Sequence, residues 1–107
     1  MNKKRHNLEI KFRTKKLQKQ YENHKEAEKA YGSQVAKKYN MRVGILKSAK
    51  NFEDLYKIPS LKFHPLKGNR KGEYAIKLTG YWRLIITNDG DTFDIAKIEE
   101  VSDHYGD

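Results

Sequence analysis

The apolar residues of this chain change their period around Pro59, and that change constrains the fold more than any single motif. Before it, Leu17, Tyr21, Ala27 and Tyr31, then Val35, Tyr39, Val43 and Leu46, recur at helical spacing, so each set marks one buried stripe of a helix. After it, residues 73–78 and 92–98 alternate, and residues 81–87 are rich in aromatic and β-branched side chains, which is the strand pattern. Leu8, Ile10 and Phe12 add a short alternating strand ahead of the helices, and Phe63 lies in another. The expectation is an α+β chain: one strand, two helices as a hairpin, then a small antiparallel sheet under them. A chain of 107 residues has room for one core, so residues 1–107 read as a single domain, with residues 1–7 flexible.

Capping and turn residues place the boundaries. Thr14 is suited to cap the first helix, which should end near Gly32; Ser33 is suited to cap the second, and Asn51 a short turn over residues 52–55. Pro59 forbids helix beyond that point. Thr79-Gly80 and Asp89-Gly90 separate the strands, and Asp-Gly suits a tight two-residue hairpin turn with positive φ. Gly44, inside the second helix, costs about 1 kcal/mol relative to alanine unless close packing needs a small residue there.

Lysine and arginine number 23 against 14 acidic residues, a net charge of +9. Such a surface draws polyanions and makes their binding salt-dependent, so nucleic acid is the first partner to consider. Lys15, Lys16, Lys19, Lys37 and Lys38 are equally consistent with solvated helix faces. There is no cysteine, which fits a reducing compartment and leaves no thiolate for metal. The basic residues at 3–6 lead into an alternating segment rather than an apolar one, and the longest aliphatic cluster is Leu84-Ile85-Ile86. No signal peptide or membrane span is expected, and the expected location is the cytoplasm.

Three segments carry groups suited to phosphate chemistry. Residues 61–72 contain His64, Lys67, Arg70 and Lys71 between hinge glycines at 68 and 72; the bland alternative is a hairpin loop with solvated lysines. In residues 81–86 a period of two sets Tyr81, Arg83 and Ile85 on one face and Trp82, Leu84 and Ile86 on the other. With the Trp82 face under the helices, Arg83 stands on the open face, where a planar guanidinium can grip a phosphate; a bulge at Gly80 would change that pairing. The tail adds Asp103, His104 and Tyr105, an acid, an imidazole and a phenol. His6, His24, His64 and His104 are too dispersed for a chelate, so neither metal nor other cofactor is expected.

Leu46-Lys47-Ser48-Ala49, Phe52-Glu53-Asp54-Leu55, Phe63-His64-Pro65-Leu66-Lys67-Gly68, Tyr74-Ala75-Ile76-Lys77-Leu78, Tyr81-Trp82-Arg83-Leu84 and Asp103-His104-Tyr105 together resemble the HigB branch of the RelE/ParE toxin superfamily. The resemblance implies the RelE-like fold and the toxin role in a type II toxin–antitoxin pair, acting as a metal-independent, ribosome-dependent endoribonuclease on mRNA. It implies a helix-turn-helix, HigA-like antitoxin as partner. It puts catalytic roles on His64, Lys67, Arg83 and the tail residues His104 and Tyr105, with Arg70, Lys71, Lys77 and Asp103 as further contacts to RNA. Two departures stand out. The family ending reads acid-Tyr-His where this chain reads Asp103-His104-Tyr105, leaving either His104 or Tyr105 as the base. The family's basic residue before the hairpin turn falls at Leu78 or Thr79, so Arg70 or Lys77 supplies that charge or activity is weaker. The alternatives are a ParE-like toxin directed at DNA gyrase and a non-catalytic RNA- or ribosome-binding module.

Overall fold

A computed structural model describes residues 7–103. Strand β1 (Glu9–Phe12) leads into helices α1 (Lys15–Glu22), α2 (His24–Tyr31) and α3 (Ser33–Ser48), followed by the short α4 (Phe52–Leu55). Strands β2 (His64–Pro65), β3 (Glu73–Lys77), β4 (Arg83–Asn88) and β5 (Ile95–Ser102) complete a five-stranded sheet in the order β1-β5-β4-β3-β2. No described helix is long and apolar enough to cross a membrane.

The expected first helix is in fact two. Asn23 adopts extended backbone, its N–H closing α1 on the Lys19 carbonyl, while its side-chain oxygen accepts from Lys25 N–H and opens α2. A short amide side chain offers the backbone this alternative to helix, and here the alternative wins. Thr14 caps α1 through the Leu17 N–H as expected, and Asn51 caps α4. Ser33, expected as a cap, is the first residue of α3, because Gly32 at φ 87° makes the turn instead. β1 also departs from the expected antiparallel sheet: it runs parallel to β5, pairing Glu9 with Ile95 and Phe12 with Ile98.

The expected tight Asp-Gly turn is replaced by a loop over residues 89–94 between β4 and β5. Asn88 organises it, its side-chain oxygen accepting from the N–H groups of Gly90 and Ile95. Glycine is needed at 90 because a side chain there would run into the Phe93 carbonyl, not because of positive φ.

One face of the sheet carries the core. Ile76, Leu78, Leu84, Ile86, Ala96 and Ile98 share it with Leu17, Ala27, Val35, Tyr39, Val43 and Leu46 of the helices. Trp82 joins from the same face, edge-on to Tyr31 at 5.7 Å. On the opposite face, among the described residues, Leu66, Ala75 and Ile85 form a small cluster. Two polar groups lock the helices down. Tyr39, with no exposed surface, donates its hydroxyl to the Leu17 carbonyl at 2.8 Å. Arg42, also buried, donates from Nε to the Lys77 carbonyl at 2.9 Å and reaches the Ser60 carbonyl, tying α3 to the end of β3; burial lowers its pKa.

Gly44 sits on the exposed side of α3 with open space where a Cβ would stand. Gly44→Ala should therefore stabilise the protein by about 0.5–1 kcal/mol in urea unfolding. Burial pushes the Tyr39 phenol well above its ordinary value of 10.0, with Tyr31 and Tyr21 adding to the effect. A raised folded-state pKa means the stabilisation is complete below the unfolded value and is lost as pH rises past it. Melting temperature should fall as pH is raised beyond about 10, and Tyr39→Phe should blunt that fall while costing about 1 kcal/mol at neutral pH.

Candidate active site on the open face of the sheet

Pairing register assembles the site. His64 opposes Ala75, Ala75 opposes Ile85, and Ile85 opposes Glu100, a row across β2, β3, β4 and β5. Two residues farther along, Lys77 opposes Arg83, and Arg83 opposes Ser102. Leu84 and Ile86 belong to the helix-side core and Ile85 to the opposite cluster, so Arg83 shares the open face with His64 and Lys77. Strand spacing and rise put the Cα atoms of His64 and Arg83 on the order of 12 Å apart.

The Arg83 guanidinium is turned back over its own hairpin, Nη1 donating to the carbonyls of Gly80 and Trp82, both at 2.9 Å. These neutral acceptors fix its direction and do not themselves offset its charge. Lys77 and Arg83 are like charges directly opposite on adjacent strands, an arrangement that is destabilising for an isolated sheet. A phosphate placed between them would convert that repulsion into two attractions.

His64 is half-buried, and its Nδ1 lies 2.8 Å from the Lys62 carbonyl. A carbonyl only accepts, so the neutral ring carries its proton on Nδ1 and keeps its lone pair on Nε2. Lys62 presents that carbonyl from a left-handed conformation, φ 50°, uncommon for a residue with a side chain. Strain held next to a candidate imidazole is consistent with a functional constraint.

Arg70, expected as a contact to RNA, is paired within the protein. Its Nη2 lies 2.7 Å from both Glu73 Oε1 and Glu100 Oε2, and its Nε 3.0 Å from Glu73 Oε1. Glu100 first, then Glu73, raises its pKa by hydrogen bonding. The side chain is a clamp that fastens the β2–β3 connection to β5. Glu73 and Glu100 were not among the residues singled out from sequence, and no spacing rule links positions 30 apart in the chain.

Lys67 and Lys71 stand on that connection, exposed. The Leu66 N–H donates to the Glu73 carbonyl, so Lys67 follows at the Glu73 end of β3, whereas Arg83 lies at the Lys77 end, about 13 Å away along the strand. The pairing therefore sets Lys77, not Lys67, beside Arg83. Asp103 is exposed and directly follows Ser102, the partner of Arg83. His104 and Tyr105 lie outside the described residues. Among the described residues no three histidine or acidic side chains gather as a metal site.

Over residues 10–99 the sequence matches a family model described as the RelE-like toxin of the type II toxin–antitoxin system HigB. Among solved structures, the YoeB/ParE toxin from Agrobacterium tumefaciens is similar with a TM-score of 0.57 and 17% identity, covering 92% of this chain and 100% of that one. The toxin in the YoeB-YefM complex from Staphylococcus aureus is similar with a TM-score of 0.51 and 22% identity, covering 92% and 98%. The YoeB dimer from the same organism gives 0.52 and 22% over the same shares. At these identities the likeness is one of fold. No curated protein sequence matches the chain significantly.

Removing the clamp should loosen the basic loop without unfolding the sheet. In Arg70→Ala, amide exchange at Leu66 and Lys71 should quicken by about three- to tenfold while β4 and β5 stay protected. Arg70→Lys should restore only part of the protection, since an ammonium lacks the planar fork. Unchanged exchange at both amides would show that the clamp holds nothing.

Proposed function

The chain belongs to the HigB-like family of RelE-like toxins of type II toxin–antitoxin systems, and from that premise we propose that it is a ribosome-dependent endoribonuclease cleaving mRNA by attack of a ribose 2′-hydroxyl on the adjacent phosphate. The observation that carries this reading is the Lys77–Arg83 pair on the open sheet face, two cations opposite one another on adjacent strands, with the half-buried His64 on the same face. Because RNA supplies its own nucleophile, the protein's work is to align it, move two protons and stabilise the phosphorane.

Arg83 and Lys77 take the charge of the phosphorane, with Lys67 contributing where the RNA strand passes the hairpin loop. His64, in its doubly protonated form, positions the scissile phosphate through its Nε2–H or gives that proton to the leaving oxygen, its Nδ1–H staying on the Lys62 carbonyl. The nucleophile's proton goes to His104 or Tyr105, which follow Asp103 in sequence. An adjacent helix-turn-helix antitoxin of the HigA kind is the natural inhibitor, and the cytoplasm the place of action.

On programmed ribosomes, wild-type protein should give discrete cuts in A-site mRNA. Arg83→Ala should reduce the cleavage rate by about 10²–10³, with a melting temperature within about 2 °C of wild type. Intact mRNA with folded wild-type protein would overturn the nuclease reading and turn attention to gyrase.

A further inference from the structure

We propose that the groove at the loop end of the β2–β3 hairpin is a nucleotide subsite, taking the base and phosphate of a single-stranded RNA nucleotide. The inference rests on the ribonuclease reading for its substrate and adds a second anchoring point. Pro65, Leu66 and Tyr74 form the apolar part of this groove of about 480 Å³, and Lys67, Gly68, Lys71 and Gly72 complete its lining. The volume falls within the range of sites for small organic ligands, about 300–1,000 Å³.

The three cations of this loop behave differently, and the difference points to the ligand. Arg70 is consumed by Glu73 and Glu100. Lys67 and Lys71, on either side of it, have no ion-pair or hydrogen-bond partner among the described residues, so their charge is available at the groove. The aromatic part is preorganised. Tyr74 stacks on Phe63 with centroids 5.1 Å apart and planes 7° from parallel, and Phe52 meets it edge-on at 5.2 Å. A ring fixed by packing offers contact to a base without losing rotamer freedom on binding, and stacking on aromatic side chains tolerates any base. Two other grooves among the described residues lack this combination. One beside β1 has Phe12 and Tyr21 but mixes Glu9 and Glu22 with Lys47. Another between α1 and α2 has Lys16, Lys19 and Lys29 but no aromatic ring.

The spacing gives the groove a role in register. It lies at the Glu73 end of β3, with Tyr74 on the helix side of the sheet, and Arg83 at the Lys77 end on the open face, so one RNA strand engaging both passes around the β2 edge and is fixed at two points. A strand held only at Arg83 could slide; one held also at the groove presents a defined phosphate to Arg83 and Lys77.

The test is an NMR titration of the full chain with adenosine 5′-monophosphate, with inorganic phosphate and a hexaglutamate peptide as separate probes. The nucleotide should shift the amides of Leu66, Lys71, Gly72 and Tyr74 saturably, and phosphate at the same concentration should shift them far less. Lys71→Glu should weaken nucleotide binding about tenfold at low salt, while Lys71→Arg stays within about twofold of wild type. Equal shifts with phosphate alone, absence of shifts at these amides, or shifts with the acidic peptide and none with the nucleotide would each overturn the subsite. The cleavage assay answers separately. Loss of the subsite with A-site cuts intact leaves the nuclease reading standing, and nucleotide binding without cuts refutes the nuclease reading while the groove keeps its ligand.

Discussion

The side on which Leu84 and Ile86 are buried is the constraint on which the rest of the structure depends. Both have no exposed surface, and they share the core with Tyr39, Val43 and Leu46 of α3. A strand repeats every two residues, so burying these two sends Arg83 and Ile85 to the other face, and a slip of one residue would reverse all of them. The cost of such a slip is large. Each buried aliphatic side chain is worth about 1.5–3 kcal/mol relative to exposure, so the helix-side core holds the direction of Arg83 far more firmly than any contact Arg83 makes itself. The chemistry on the open face is positioned from behind.

The same logic explains the irregularity in β5. Ile86 opposes Ile98, but Ile85 opposes Glu100, so Glu99 is an extra residue between two regular stretches. Ala96 and Ile98 face the helices before it, and Val101 packs against the same core after it. The bulge resets the parity. With it, Glu100 emerges on the open face where Arg70 reaches it, and Ser102 stands opposite Arg83. The disruption falls on β5 rather than at Gly80, so the alternation of β4 survives.

Much of this was legible in the sequence where a local rule was sufficient. Thr14 and Asn51 cap helices by reaching an N–H three residues on, and the two faces of β4 follow from alternation alone. The RelE-like fold and the family followed from the motifs between Leu46 and Arg83. What escaped reading were the places where two local rules compete or where partners are distant. Asn23 lies within a run of helical periodicity, and its capping tendency is visible only once its side chain is seen to accept from Lys25. Asp89-Gly90 has the composition of a tight turn, yet Asp94 both accepts from Phe52 N–H at 2.7 Å and receives a hydrogen bond from Asn88, so the wider loop is held by α4 as well as by its own strands. The Arg70 clamp depends on the bulge and on a pairing 30 residues away, neither of which has a sequence signature.

Carboxylates pair with several of the cations on and beside the sheet. Lys11 pairs with Asp89, Arg13 with Glu99, and Arg70 with Glu73 and Glu100. Lys77, by contrast, has Arg83 as its cross-strand neighbour. Like charges opposite one another in a sheet cost about 0.2–1 kcal/mol, a small sum beside the burial that fixes β4. The fold therefore tolerates Lys77 and Arg83 opposite one another, and a polyanion held by both binds the folded state in preference to the unfolded chain. That preference links occupancy of the open face to stability: the interaction that would orient a phosphate for attack is also one that tightens the sheet.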